Sequence, residues 1–337
     1  MNRRTKVMLK RFAVSITAVI LAGIIYEQLG EWQDRNRFPQ IGRSVDIGGR
    51  ALNIFCSGEG SPAVILENGL NAPGVSWMVV QQGTGKFTRA CWYDRAGQAW
   101  SDAGPFPRTS ATIANDLHEL LRRAAVPPPY VLVGHSFGGF NVRVFTAKYP
   151  AEVAGMVLVD PAYENDNGTG GVNRSRGPIR TLFLVLAPTL SRIGLFRAIS
   201  HFVPLIYVPP LVPAEQRALL QALILQSKPI AEAASEEENL NESAAEVRSA
   251  SNLGDRPLIL LTAGKQYLPR DPAAAREAAA WYELRSRELD PQLTRLSSRS
   301  RHTVVEGSGH MIPQEAPDAV VKAIREVVEE VRAEQPK

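Results

Sequence analysis

The pentapeptide Gly134-His135-Ser136-Phe137-Gly138 is where residue type and spacing in this 337-residue chain most directly imply chemistry. It follows an apolar run, Tyr130-Val-Leu-Val133, and precedes a helical period over Phe140 to Lys148. That context places the serine on a sharp strand-to-helix turn, with its hydroxyl presented at a sheet edge. Bulky neighbours would collide on such a turn, so glycine is needed at the flanking positions. The backbone N–H of Phe137 is then aimed at negative charge developing on a substrate oxygen. An ordinary Gly-rich turn requires neither this strand nor this helix.

A serine hydroxyl is a weak nucleophile and needs a base held by a third group. Behind a nucleophile of this type the chain order is serine, then acid, then histidine. His310 lies in Glu306-Gly-Ser-Gly-His310-Met, after the last expected strand and before the final helix. A Gly-rich loop there can carry the ring over the sheet edge. Its rivals are less well placed: His118 is inside a helical period, His201 in an inserted segment, His302 at a strand start, and His135 in the turn itself. For the acid, Asp160 leaves its strand in Val157-Leu-Val-Asp160-Pro161, at the carboxyl edge where catalytic groups gather. The next strand ends in Thr262-Ala-Gly-Lys-Gln-Tyr267 and reaches no carboxylate before Asp271, which stays open as the alternative. Aspartate is also favoured in loops for purely structural reasons. A second oxyanion donor is expected from Glu67-Asn68-Gly69-Leu70-Asn71, through the N–H of Leu70 or through Asn71.

Short apolar runs bounded by turn residues must position these groups. They are Ser44–Ile47, Ala51–Cys56, Ala63–Leu66, Arg89–Tyr93, Tyr130–Val133, Gly155–Val159, Pro257–Leu261 and His302–Val305. Continuous apolar runs of this length suit strands buried on both faces. Helical periods lie between several of them, at Thr112–Ala125, Phe140–Lys148 and Pro317–Val331. Alternation of strand and helix argues for an α/β fold with a mostly parallel sheet.

Nearly a hundred residues separate the strand ending at Val159 from the one beginning at Pro257. This insert opens with a Gly/Asn/Arg-rich stretch, Asn165–Pro178, and continues through an apolar, Pro-containing stretch, Leu182–Pro213. A helix-like run, Pro213–Gln226, and an acidic one, Ser235–Arg248, complete it. It is expected to form a lid over the carboxyl edge of the sheet, where ligands bind in open α/β folds. Leu195, Phe196, Phe202, Val203, Leu205, Ile206 and Tyr207 would roof a pocket, pack the lid down, or dip into lipid.

The residues from Ile47 to Val331 resemble the α/β-hydrolase fold family. The matching pieces are Glu67-Asn-Gly-Leu70, Tyr93-Asp-Arg-Ala-Gly97 with Ser101, Gly134 to Gly139, Leu158-Val-Asp-Pro161 and Gly307-Ser-Gly-His310. The resemblance implies an eight-stranded, mostly parallel sheet flanked by helices, a helical cap after the sixth strand, and hydrolysis without a cofactor. It marks Asp94 and Arg95 as organisers of the loop beside the nucleophile. The chain departs from the family in having Asn68-Gly69 where relatives often have His-Gly. It also has Gln266-Tyr267 where many relatives carry the acid.

The first eleven residues carry Arg3, Arg4, Lys6, Lys10 and Arg11 and no acid. Their charge of +5 against +4 for the whole chain leaves the remainder near −1. A near-neutral body lacks the clustered basic footprint of nucleic-acid binding. No metal-ligand cluster or phosphate-binding loop is present in the sequence. An apolar run, Phe12 to Tyr26, follows the basic head. With Lys10 and Arg11 snorkelling, Val7 to Leu9 lengthen it enough to span a bilayer. The expectation is a transmembrane anchor at residues 12–29, with a cleaved signal peptide or a buried core helix as alternatives. Positive charge on the cytoplasmic side places the body outside, periplasmic or extracellular. The resulting division is a basic head (1–11), the anchor, a linker (30–43), a core (44–161 and 255–334) and a cap (162–254). Cys56 and Cys91 would be able to pair in an oxidising compartment. The function expected is a carboxylesterase acting on a lipophilic or acyl ester through an acyl-enzyme on Ser136. Thioesterase, amidase, peptidase, acyltransferase and cofactor-free peroxidase chemistry stay open, as does a silent ligand-binding module. A serine in this place argues against dehalogenase and epoxide hydrolase chemistry, which need a carboxylate there.

Overall fold

The computed structural model describes residues 2–164, 178–209, 212–250 and 252–334. Eight strands form one sheet in the order β1-β2-β4-β3-β5-β6-β7-β8. They are β1 (Arg43–Asp46), β2 (Ala51–Ser57), β3 (Ala63–Glu67), β4 (Ala90–Tyr93), β5 (Tyr130–His135), β6 (Val153–Val159), β7 (Leu258–Ala263) and β8 (Ser300–Val305). Only β2 runs against its neighbours; β3 to β8 are parallel. Every apolar run read from the sequence is a strand within a few residues of its expected limits. The central strands β3 to β7 are buried along almost their whole length, as apolar runs require, whereas the edge strands β1 and β8 keep most of their residues exposed.

Alternate residues of the central strands feed two cores. Ile65, Leu132, Leu158 and Leu260 face one, and Leu66, Val133, Val157 and Ile259 face the other. The helices described are α1 (Arg3–Arg37), α2 (Met78–Thr84), α3 (Ser110–Arg123), α4 (Gly138–Lys148), α5 (Pro178–Arg192), α6 (Leu195–Ser200), α7 (Ala214–Ile224), α8 (Ser227–Glu238), α9 (Leu240–Arg248), α10 (Pro272–Leu284), α11 (Asp290–Thr294), α12 (Ile312–Glu315) and α13 (Pro317–Glu334). Helix α13 closes the second core with Val320, Ile324, Val327, Val328 and Val331, spaced three and four residues apart. On the first face α3 contributes Ile113, Leu117, Leu120 and Leu121.

Helices α5 to α9 form the cap, inserted after β6 as expected. The acidic run Ser235–Arg248 is not one helix, because α8 ends and α9 begins about Asn239. The Gly/Asn/Arg-rich stretch at the start of the insert falls at residues 165–177, outside the described residues. Cys56 and Cys91, opposite each other on β2 and β4, are joined by a disulfide.

The stretch read as a linker, residues 30–43, is helical as far as Arg37. Helix α1 is 35 residues long, about 52 Å at 1.5 Å per residue. Its apolar window has the length and composition of a membrane span and no residue buried against the body. From Gly23 onward the helix is different. Gly23, Glu27, Gly30, Glu31 and Asp34 make a stripe that packs on the cap. Arg197 of α6 donates to Glu27 at 3.0 and 3.1 Å and to Asp34 at 2.8 Å. Glu31 accepts from the backbone and hydroxyl of Ser227. These contacts hold a polar segment helical where composition alone suggests a linker. Arg197→Ala leaves Glu27, 1% exposed, without its cation. Amide exchange over residues 27–37 should accelerate about tenfold by hydrogen–deuterium exchange, while Arg192→Ala on the exposed face of α5 leaves it unchanged.

Candidate active site

Ser136 follows β5 with φ at +52°, left-handed backbone that only a tightly determined turn imposes on a non-glycine residue. The flanking glycines are dictated by crowding. A Cβ on Gly134 would lie 2.6 Å from the Gly138 carbonyl oxygen, and one on Gly138 would lie 2.6 Å from the carbonyls of both Glu67 and Asn68. Asp160 ends β6 in the same strained region, φ +40°, with its own N–H bonded to the Leu261 carbonyl at 2.7 Å. The turn swings its carboxylate over the end of β7. There Oδ1 accepts the Ala263 N–H at 2.8 Å, and Oδ2 lies 2.6 Å from His310 Nδ1. Burial by itself would raise this carboxyl. The His310 hydrogen bond and charge, the Ala263 N–H and the Arg285 guanidinium outweigh it and hold the carboxyl below its ordinary value. The end of β7 thus donates a hydrogen bond to the acid instead of carrying one of its own.

His310, half exposed, sits with Ser136, Asp160, Phe137 and Leu70 around one cavity of about 370 Å³. No hydrogen bond joins Ser136 Oγ to His310 among the described residues. Asp271 is elsewhere. It caps α10, accepting from the N–H groups of Ala273 and Ala274. Among the described residues the N–H groups of Phe137 and Leu70 donate to nothing. Arg95 explains the second. Its guanidinium holds the carbonyls of Asn68 and Gly69, each at 2.8 Å. Across a planar trans peptide the Leu70 N–H then points the opposite way from the Gly69 carbonyl. A Cβ on Gly69 would approach Ser136 Cβ to 3.2 Å, so the loop lies close beside Ser136.

A model of the alpha/beta hydrolase family matches residues 64–323. The chain belongs to that family. Its fold is also that of an esterase from Thermogutta terrifontis, 20% identical, with a TM-score of 0.61 over 87% of this chain and 99% of that one. An enol-lactonase from Burkholderia xenovorans LB400 gives 17% identity and a TM-score of 0.60 over 85% and 100%. Among curated relatives, the uncharacterised protein YbdG of Bacillus subtilis is 24% identical over 159 residues, 45% of this chain and 49% of that protein. The first curated relatives are matched over only 18%, 14% and 49% of their own lengths.

Within this α/β-hydrolase, several site residues escape sequence reasoning. Arg285 donates to the Ala263 carbonyl at 2.7 Å and stands 3.5 Å from Asp160 Oδ1, behind the acid. Its one local sign is the π-helical turn Arg285–Leu289, a widening common at functional sites. The apolar lid residues divide: Phe196, Leu205 and Ile206 line a second cavity, whereas Leu195, Phe202, Val203 and Tyr207 face outward.

His135 also has a part. Its Nε2–H donates to the His310 carbonyl at 2.8 Å, fixing the loop that carries His310. Trp77 stands edge-on to the ring and Gly69 lies against Nδ1. Burial, and after it the neighbouring His310, pushes the His135 ring down to about 3, so it stays neutral. The unfolded chain binds a proton at about 6.5 that the native ring refuses, so stability falls as pH drops from about 6.5 towards 3. Between about pH 7 and pH 5 this group should remove roughly 2 kcal/mol from the unfolding free energy. Urea midpoints at the two pH values measure it, and His135→Gln should flatten that part of the profile.

Proposed function

We propose that this α/β-hydrolase is a serine carboxylesterase acting on lipophilic acyl esters. The observation that carries the reading is the 2.6 Å bond from His310 Nδ1 to a buried, ionised Asp160, beside Ser136 in a shared cavity. With Nδ1–H committed to Asp160, Nε2 is left as the basic nitrogen. Ser136 Oγ adds to the ester carbonyl while His310 Nε2 takes its proton. The tetrahedral oxyanion is held by the N–H groups of Phe137 and Leu70, which have no other partner among the described residues. As the intermediate collapses, His310 returns the proton to the departing alkoxide, leaving an acyl-enzyme. Water, deprotonated by His310, then releases the acid. Asp160 keeps the ring in the productive tautomer and stabilises the imidazolium formed twice per cycle. The cavity's apolar neighbour in the cap favours an acyl substrate.

The same reading takes α1 as a retained anchor, with the basic head on the cytoplasmic side and the body outside. Two observations support it. Glu27, Glu31 and Asp34 are built into the cap's packing, a role at odds with a discarded signal. The Cys56–Cys91 bridge suits an oxidising compartment.

Fluorophosphonate labelling of the full chain, read by intact mass, tests the chemistry. The wild type should gain one adduct, and Ser136→Ala and His310→Ala should gain none. Asp160→Asn should label about 10³–10⁴-fold more slowly, by the cost of the wrong tautomer, and Asp271→Asn at the wild-type rate. A folded wild type that never labels would replace the esterase reading with a silent ligand-binding module.

A further inference from the structure

Exposed large hydrophobic side chains are unevenly distributed over this protein. Outside α1 fifteen are exposed among the described residues, and ten of them lie between Leu182 and Tyr207. On α5, Leu182, Val185 and Leu186 share one face at spacings of three and four and are 58%, 63% and 41% exposed. After α6, Phe202 is 87% and Val203 51% exposed. Residues 181–191 contain no charged side chain, and residues 198–209 contain none beyond a single histidine, His201. So many exposed apolar side chains gathered in one short segment mark contact with something other than water.

Helix α1 identifies what covers it. The turn after α5 touches α1 so closely that a Cβ on Gly23 would lie 2.4 Å from the Ile193 carbonyl oxygen. One turn on, the Tyr26 hydroxyl bonds His201 Nε2 at 2.9 Å. Val7 to Tyr26 amounts to about 30 Å of helix, the thickness of a hydrocarbon core. Gly23 lies three residues inside the outer end of that segment, about 4.5 Å along the axis. If α1 spans the bilayer, the α5–α6 turn is therefore at the level where hydrocarbon gives way to headgroups. Tyr26 has the interfacial character expected there.

Behind this surface is the second cavity, of about 350 Å³, within the range of small-molecule sites. Phe183 and Leu205 line it while remaining 51% and 41% exposed, so they belong both to the cavity wall and to the outer apolar face. At its inner end the cavity shares Leu70 with the one that holds Ser136. The Arg180–Glu237 ion pair gives one partner to each cavity. An acyl carbonyl whose oxygen rests on the Leu70 N–H would have its chain beside the mouth of the apolar chamber.

We propose that the α5–α6 face of the cap is seated in the outer boundary of the bilayer and admits the acyl chain of a membrane-resident ester past Phe183 and Leu205 into this chamber. The proposal rests on the esterase and anchor readings and adds to them the source of the substrate and its route. Lipid seating requires only the desolvated apolar side chains already on that surface.

The test uses the full chain in phosphatidylcholine vesicles. Both native cysteines are in the disulfide, so Val185→Cys and Phe202→Cys each give a single labelling site for an environment-sensitive fluorophore. Lys148→Cys, exposed at the far end of α4, is the control. Labels at 185 and 202 should shift to the blue and be quenched by nitroxide-bearing lipids, and the label at 148 should not. Equal, water-like emission at all three overturns the seating, whatever the chemistry at Ser136. For entry, the Val185→Asp/Phe202→Asp double variant should lose about tenfold or more in turnover of a long-chain ester held in vesicles, and less than twofold on a short, water-soluble ester. Equal losses on both, or none on either, overturn the route. Ala234→Phe, in the chamber wall, should shift the preferred acyl length to shorter esters; an unchanged profile also overturns it. A protein that does not label with fluorophosphonate loses the esterase reading and with it the route, while the fluorophore arm still decides whether the cap is seated in lipid.

Discussion

A guanidinium taken wholly out of water has to be surrounded by acceptors, and in this protein that requirement falls on Arg95, 2% exposed. It meets Glu67 at the end of β3, the carbonyls of Asn68 and Gly69, and Glu236 of α8. Burial opposes its charge, and the two carboxylates more than restore it. Glu67 is held in turn by Tyr93 and Asn141. The end of β3, the Asn68–Leu70 loop, α4 and the cap are therefore tied to one cation. Removing one member of a buried pair typically costs about 3–5 kcal/mol, because the survivor is left charged and dry. The positions of the Leu70 N–H and of the cap over the site both follow from satisfying Arg95.

Asp94 does related work one residue earlier. Its carboxyl, pushed up to about 6 by burial, accepts from the Gly74 N–H and from Asn53. Ser101 donates to the Asp94 carbonyl and accepts from the Asn53 backbone, closing the turn on β2. The site is thus assembled on strained or charged backbone ends, Ser136 and Asp160 with positive φ and Arg95 with its carbonyl cage. Two fully packed sheet faces supply the stability that holds them in place. Local strain of about 1–3 kcal/mol per residue persists only where surrounding structure determines it several times over.

The cap serves two partners. Through Glu232 and Glu236 it grips the core, and through Arg197 and Ser227 it grips α1. Helix α1 is consequently packed directly on the cap rather than joined to it by an extended linker. That coupling fixes the height of α5 and α6 relative to the apolar segment of α1.

Much of this was legible in the chain alone, for reasons that are local. The central strands β3 to β7 show as apolar runs because two-sided burial leaves few polar positions, while β1 and β8 lie at exposed edges. The turn at Ser136 shows because its glycines are forced by contacts within a few residues and with one adjacent loop. Asp160 was legible only as one of two acids. Its choice of His310 depends on a backbone turn at the end of β6 and on a donor from β7, 103 residues away. Arg285, His135 and the packing of α1 were not legible. Each depends on a partner brought in by the sheet or the cap: Asp160 for Arg285, the His310 carbonyl for His135, Arg197 for Glu27. Sequence by itself determined the elements, the turn at Ser136 and the apolar N-terminal segment, since periodicity, glycine and hydropathy act at short range. Tertiary structure alone decided which carboxylate meets His310, what cages the Asn68–Leu70 loop and where α1 packs. Those depend on burying charge, which is settled only when distant elements close over it.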